Sequence, residues 1–301
     1  MRYKTARRLL IFWTIFIGIG ALAGGACMLI RPDGALGMEG MLPYFQELPF
    51  ADVLFQDFLF SGIALIIVNG ITNLTAAVLL LRNKRAGCVL GGVFGVTLML
   101  WICIQFYMFP ANFMSTIYFA FGALQAATGF GATVFYDQEH FTVRPEDYNN
   151  IGSDKSRLVV YFSRLGYVER AALSRANETG AEVFRLESTE LTRGTLGFWW
   201  CGRFGMHRWD MPLKALPEDI ERYEHVTLCT PVWVFALSAP MRRFCREMNG
   251  RIKSADYVIV HFQRGRCVSV AREMDGLLGI RGEGTESICS RWGRVKKIYN
   301  C

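Results

Sequence analysis

The first 136 residues contain no histidine; His140, His207, His225 and His261 all come later. A helical bundle drawn from this half therefore has no pair of histidines to ligate haem, the commonest way for such a bundle to carry electrons across a bilayer. The nine cysteines stand singly, without a C-x-x-C pair. Neither zinc nor an iron–sulfur cluster then has its usual ligand spacing, and no metal is expected. No G-x-G-x-x-G follows an apolar strand, so a separate nicotinamide-binding domain is excluded. Gly18, Gly20 and Gly24 imitate part of that motif, but inside an apolar run such spacing means close helix packing.

Charge is absent from four stretches, 9–30, 58–81, 86–109 and 113–136. Each has the ~20 residues needed to cross a bilayer, and none offers a carboxylate for a proton relay. The basic start of the first run resembles a signal peptide, but its 22 residues are too long for an h-region and three more spans follow. Arg2, Lys4, Arg7 and Arg8 precede span one, and Arg82, Lys84 and Arg85 separate spans two and three. The loop 31–57 has one arginine against Asp33, Glu39, Glu47, Asp52 and Asp57, and "PAN" (110–112) is uncharged. The positive-inside rule then predicts a multi-pass plasma-membrane protein with both termini in the cytoplasm, where its thiols stay reduced. The polar residues inside the spans are Asn69, Asn73, Gln105 and Gln125. Asn69 and Asn73 share a helical face and are expected to bond a neighbouring helix; lining a quinone or lipid site is the alternative. With "GALGME" after span one and "WICIQ" in span three, residues 1–136 resemble uncharacterised four-span bacterial membrane proteins, a likeness that brings no activity with it.

Past Tyr136 the chain turns polar, and 137–156 reads as a linker before a domain spanning 157–301. Residues 137–301 carry 25 Lys+Arg against 21 Asp+Glu. That excess favours contact with anionic membrane lipid; no basic helix organises it, so nucleic acid is not expected as a partner. Apolar runs at 157–162, 181–187, 225–230, 256–262 and 285–292 read as strands. Helical patterns at 168–180, 239–250 and 266–279 alternate with them, with Gly180 as a stop. This alternation predicts an α/β domain with a parallel sheet, whose ligands bind beyond the carboxyl ends of the strands.

Three of those ends stand out. Strand one runs into Ser163-Arg164-Leu165-Gly166-Tyr167-Val168, which leads to a helix and so aims backbone N–H groups at an anion. Strand three runs into Thr230-Pro231-Val232-Trp233, and strand four into Gln263-Arg264-Gly265-Arg266. An anion nest beside a flat aromatic suits a phosphate that carries a ring system. Residues 157–292 resemble the flavodoxin family: Ser163 and Gly166 match its phosphate loop, [ST]-x-[ST]-G-x-T, while Leu165 and Val168 depart from it. The stretch "TPVWVFALSAP" is similar to the family segment that lies against the isoalloxazine. The resemblance implies a three-layer fold with sheet order 2-1-3-4-5 and FMN as cofactor. Residues 163–168 would then hold the phosphate, 230–233 one side of the flavin, and Gln263 and Gly265 another edge.

Between strands two and three, residues 188–220 are rich in Trp, Gly and Arg. Trp199, Trp200 or Trp209 would stack on the ring, pack the insert onto the sheet, or enter the membrane interface. His207 has the best position among the histidines for contacting a substrate, with plain polar surface as the alternative, and Cys201, beside the suspected site, is expected to pack or to lie at the surface. The end, "GRVKKIYNC", is too short for a fifth helix, so one sheet face is expected to be open or covered by a partner or the membrane. Three functions follow from the resemblance. The first is a membrane-anchored FMN protein that transfers electrons with a partner reductase or the quinone pool. The second is an FMN-dependent quinone reductase or flavodoxin-type protoporphyrinogen dehydrogenase. The third is a flavin-free fold acting as a regulatory or binding module.

Overall fold

The computed structural model describes residues 2–34, 39–108 and 112–300. Residues 35–38 of "GALGME", Pro110 and Ala111 of "PAN", and Cys301 fall outside them. The chain divides into two compact units, Met1–Glu139 and His140–Cys301.

Among the described residues, the first unit holds four helices long and apolar enough to cross a membrane: α1 (Arg2–Ile30), α2 (Leu59–Leu81), α3 (Arg85–Met108) and α4 (Phe113–Glu139). The helix α1 begins seven residues before the uncharged run because helical hydrogen bonding continues through the basic residues. Glycine sets the approach of α3 to α4. A Cβ on Gly129 would stand 2.3 Å from the Cα of Gly92, so the two backbones touch there. The Gln125 amide donates to the Asn73 side chain and to the Gly91 carbonyl, both at 2.7 Å, tying α4 to α2 and α3. Asn73 thus makes the interhelical bond expected of it. Asn69 does not: both its side-chain polar atoms are buried without a hydrogen-bond partner.

In the second unit β1 (Asp154–Tyr161), β2 (Ala181–Arg185), β3 (His225–Trp233), β4 (Ala236–Leu237), β5 (Ala255–His261), β6 (Gly284–Arg291) and β7 (Arg294–Asn300) form one sheet. Its order is β2-β1-β3-β5-β6-β7, with β4 hydrogen-bonded to β3. The five long strands from β2 to β6 pair in parallel, giving the expected 2-1-3-4-5 order. The strand β1 starts at Asp154 and α4 runs on to Glu139, so the stretch read as a linker contributes to both flanking elements. The second half of β1 is buried on both faces, which is why it reads as a continuous apolar run.

One face is covered by α5 (Tyr167–Thr179). Its Val168, Ala172 and Ala176 pack on Val159, Tyr161 and Val258. The other face carries α7 (Ala239–Glu247) and α8 (Val268–Leu278) over Leu158, Val160 and Leu228. The Trp-rich insert contains α6 (Gly194–His207), whose Cys201 and Phe204 pack with Met211 and Ala239. The C-terminal residues form β7, antiparallel to β6. A two-residue turn at Trp292-Gly293, both in the left-handed region at φ 52° and 79°, makes that hairpin possible. The result is a groove of about 240 Å³ beside α5, lined by Ala171, Val260, Ile288, Val295 and Ile298 among others. Burial there pushes the Glu286 carboxyl pKa up.

Candidate functional site

The strands β1, β3 and β5 are neighbours in the sheet, so the three segments singled out in the sequence line up along its carboxyl edge. In the first, Gly166 caps α5 at φ 88°, and its N–H donates to the Ser163 Oγ at 3.0 Å. The first intrahelical bond runs from the Arg170 N–H to the Gly166 carbonyl at 2.9 Å. The N–H groups of Val168 and Glu169 therefore have no carbonyl within the helix and face the loop, at the positive end of the helix dipole. A Cβ on Gly166 would lie 3.1 Å from the Phe141 ring. Phe141 in turn meets Tyr167 edge-on at 4.7 Å, which fixes the turn from outside.

The two positions that lack hydroxyls separate in space. Leu165 is 37 % exposed at the loop tip, whereas Val168 is 3 % exposed inside the core beneath α5. Arg164 leaves the nest: its Nε donates to the Thr192 carbonyl at 2.8 Å, and its guanidinium lies 5.3 Å from the Phe198 ring. It thereby ties the loop to the start of α6. Glu169, the one acid in the first turn, accepts from the Tyr161 hydroxyl at 3.0 Å and from Arg185 at 3.2 Å. Its charge is thus balanced away from the nest.

In the second segment β3 continues through Trp233 and turns back at once. Val234 and Phe235, at φ 47° and 61°, form a two-residue turn, and Ala236 pairs with Trp233. A β-branched residue rarely occupies the left-handed region, and neither Val nor Phe signals a turn, so the hairpin was not legible in the sequence. Thr230 Oγ1 and Ser238 Oγ share a hydrogen bond of 2.8 Å across its base. Trp233 is half-buried, meeting Phe162 edge-on at 5.5 Å and Gly205 of α6 on another side. The side chain that projects furthest is Phe235, 73 % exposed. Pro231 pairs with Val260 inside the sheet, and Val232 packs against the core.

In the third segment His261 is buried, its Nε2 2.7 Å from the Ser287 Oγ and its Nδ1 2.9 Å from the Gln263 carbonyl oxygen. Burial lowers its pKa and keeps the ring neutral. Gly265, at φ 104°, donates its N–H to the Tyr299 hydroxyl at 3.3 Å, fastening this loop to β7. Phe262 is half-exposed under Trp292, at 5.0 Å.

The insert divides its aromatic residues between tasks. Trp199 is 70 % exposed, while Trp200 donates its indole N–H to Glu190 at 2.8 Å. Trp209 stacks on His207 at 4.5 Å, and Arg203 lies 5.5 Å from each of Trp200 and Trp209. Cys201 is buried, and desolvation raises its thiol pKa to about 11, so it packs rather than reacts. The edge as a whole offers backbone donors, a helix N-terminus, no carboxylate between residues 163 and 168, and exposed aromatic surface at Phe235 and Phe262. That combination fits a phosphate ester joined to a flat ring.

No family model matches this chain, and no curated protein matches it. Among solved structures, the C-terminal half is similar to a candidate flavoprotein from Bacteroides uniformis, at 16% identity over 45% of this chain and 92% of that one, with a TM-score of 0.40. It is similar also to a candidate flavoprotein from Bacteroides eggerthii, at 17% identity over 44% of this chain and 86% of that one (TM-score 0.38). A third is a flavoprotein in complex with FMN from Lactobacillus acidophilus, at 15% identity over 44% and 93% of the two chains (TM-score 0.36).

Proposed function

We propose that this chain is a membrane-anchored, flavodoxin-like protein that binds FMN through the carboxyl edge of its sheet and transfers electrons at the cytoplasmic membrane face. The observation that carries this reading is the nest at Ser163–Val168, which sits where the strand order reverses, between β1 and β3. Sheets of this order bind ligands at that switch point. Bound FMN would supply electron and hydride chemistry, and the protein orientation and electrostatics. Ser163, Gly166 and the N–H groups of the first turn of α5 would hold the phosphate. The hairpin of Trp233 to Ala236 and the Gln263–Gly265 loop would flank the ring, with Phe235 shielding it from water.

A second reading, a flavin-dependent quinone reductase or protoporphyrinogen dehydrogenase, is favoured by one feature. The helix α6 turns Leu196, Phe198 and Trp199 outward, an apolar surface suited to an apolar substrate.

The purified full chain is expected to arrive partly empty and to gain a flavin absorbance band on titration with FMN. Because Leu165 is exposed at the loop tip, Leu165→Thr adds a hydroxyl where a phosphate would sit. One hydrogen bond to a charged group contributes about 1.5–3 kcal/mol, so FMN should bind roughly ten- to a hundredfold tighter. Riboflavin, which has no phosphate, should be scarcely affected; an equal gain for both ligands would remove the phosphate from this loop. Val168→Thr places its hydroxyl in the core instead and should cost about 1–3 kcal/mol of stability without tightening FMN. If neither wild type nor Leu165→Thr takes FMN at saturation, the flavin-free module becomes the better account.

The orientation rests on the basic residues flanking α1, α2 and α3. A C-terminal reporter active only in the cytoplasm is expected to be active, and so is one active only outside when inserted after residue 40. An external signal from the C-terminus would reverse the topology and remove intracellular redox partners.

A further inference from the structure

Within the first unit a cavity of about 230 Å³ lies between the four helices, and Leu65, Asn69, Trp101, Gln105, Ser115 and Tyr118 are among the residues that line it. A second cavity, of about 210 Å³, shares Leu65, Trp101 and Gln105 as walls and adds Phe45, Phe55 and Phe60. The lining is apolar and aromatic except for a few groups. Ser115 donates its hydroxyl to the Gln105 side-chain Oε1 at 3.0 Å. Asn69 is 1 % exposed, and neither its Oδ1 nor its Nδ2 has a hydrogen-bond partner. The Ser61 hydroxyl on the second cavity is likewise buried and unpartnered. One helical turn away, the Asn73 Oδ1 accepts from the Gln125 Nε2, whose own Oε1 is buried without a partner; Asn69 differs in that both ends of its amide are unpaired and it lines a cavity.

Hydrocarbon offers no water to satisfy an amide, so an unpaired one at this depth is costly. Asn69 also sits in a π-helical turn, Ile66–Ile71, inside α2. Such a turn inserts a residue into the helical register, re-aims side chains, and is frequent at functional sites. An amide that costs stability, on a locally re-aimed helix and beside an aromatic cavity, is explained by a ligand that carries its own polar atoms.

We infer that this cavity binds the ring of a lipid-soluble quinone, with Asn69 as its hydrogen-bonding residue. The ring is flat, which suits walls of Trp101, Tyr118 and the phenylalanines. It carries carbonyl oxygens in one form and hydroxyls in the other. The Asn69 amide has both a donor and an acceptor, so its Nδ2 can bond a quinone carbonyl and its Oδ1 can accept from a quinol hydroxyl. A lipid acyl chain would fill the space and leave the amide unpaired. The inference concerns binding alone and does not depend on flavin in the other unit.

The test uses the flavin-free full chain in phospholipid nanodiscs, titrated with a decyl-tailed benzoquinone and followed by quenching of tryptophan fluorescence. Wild type should show saturable quenching, and Trp101→Phe should remove most of it. Asn69→Leu should weaken binding about tenfold, the worth of one buried hydrogen bond lost. The same variant should raise the melting temperature measured without quinone, because the unpaired amide is gone. Should Asn69→Leu fail to fold, Asn69→Ala is expected to weaken binding in its place. Unsaturable quenching in wild type, or an unchanged dissociation constant in the variant that folds, would overturn the inference. So would saturable quenching that survives Trp101→Phe, or a co-purifying phospholipid that quinone does not displace.

Discussion

Gly166→Val is expected to lower FMN affinity by two to four decades while the domain stays folded. The native φ of 88° is open to glycine and strained for a β-branched residue, by about 1–3 kcal/mol. The new Cβ would also start 3.1 Å from the Phe141 ring, which packs against Tyr167 and has little room to withdraw. The loop must therefore leave its turn, and the N–H groups of the first turn of α5 then no longer converge. Losing two hydrogen bonds to a charged phosphate, at about 1.5–3 kcal/mol each, gives the two to four decades. Gly250→Val is the control, at a similar φ of 71° with open space around it and far from the loop in sequence. It should cost stability and leave FMN binding alone. An FMN dissociation constant within about threefold of wild type for Gly166→Val would take the phosphate out of this loop, since that change is too small for even one lost charged hydrogen bond.

Glu273→Leu is expected to destabilise the second unit by about 3–5 kcal/mol. Of the two arginines it abandons, Arg208 is exposed, whereas Arg242 has a side chain only 2 % exposed, and its Nε donates to Glu273 at 2.7 Å. Arg242 also donates to the carbonyls of Leu237 at 2.9 Å and Trp209 at 3.2 Å. The Glu273 carboxylate accepts the Leu237 N–H at 3.1 Å. The pair therefore joins α7 and α8 to the hairpin strand β4 and to the segment of the Trp-rich insert that follows α6. Removing the carboxylate leaves a buried guanidinium without a counter-charge, which costs more than the pair contributes. For a domain of this size the melting temperature should fall by roughly 6–20 °C. The double replacement Arg242→Leu with Glu273→Leu should recover much of that loss, because the stranded charge goes too. If the double variant is no more stable than Glu273→Leu alone, packing rather than charge holds the hairpin.

Some of this was written in composition and periodicity. Four uncharged runs of bilayer length are a one-dimensional property, and each became a helix long and apolar enough to cross a membrane. The strand β1 was legible because burial on both faces makes an apolar run, and α5 because its stop, Gly180, adopts a left-handed φ of 72°. The positions of Ser163 and Gly166 followed from the strand–turn–helix pattern, since a turn of that kind needs a glycine at one place. Alternation predicted the parallel pairing, and the strand order came from the family resemblance.

Other features depended on what lies opposite a residue, which no local pattern records. Leu165 and Val168 look alike in sequence, yet one is exposed at the loop tip and the other packs under α5. The helix begins between them, and helical rotation turns neighbouring positions to different faces. The Val234-Phe235 turn carries no turn residues and is held from outside by the Arg242–Glu273 network through Leu237. The terminal segment became a strand because the edge of β6 offered backbone partners that a helix of that length would have lacked. Asn69 and Asn73 share a helical face by their spacing of four, and the sequence by itself determined that much. Only the packing of four helices decided that one amide meets Gln125 and the other meets a cavity, because a hydrogen bond needs a partner within about 3 Å and sequence distance does not measure it.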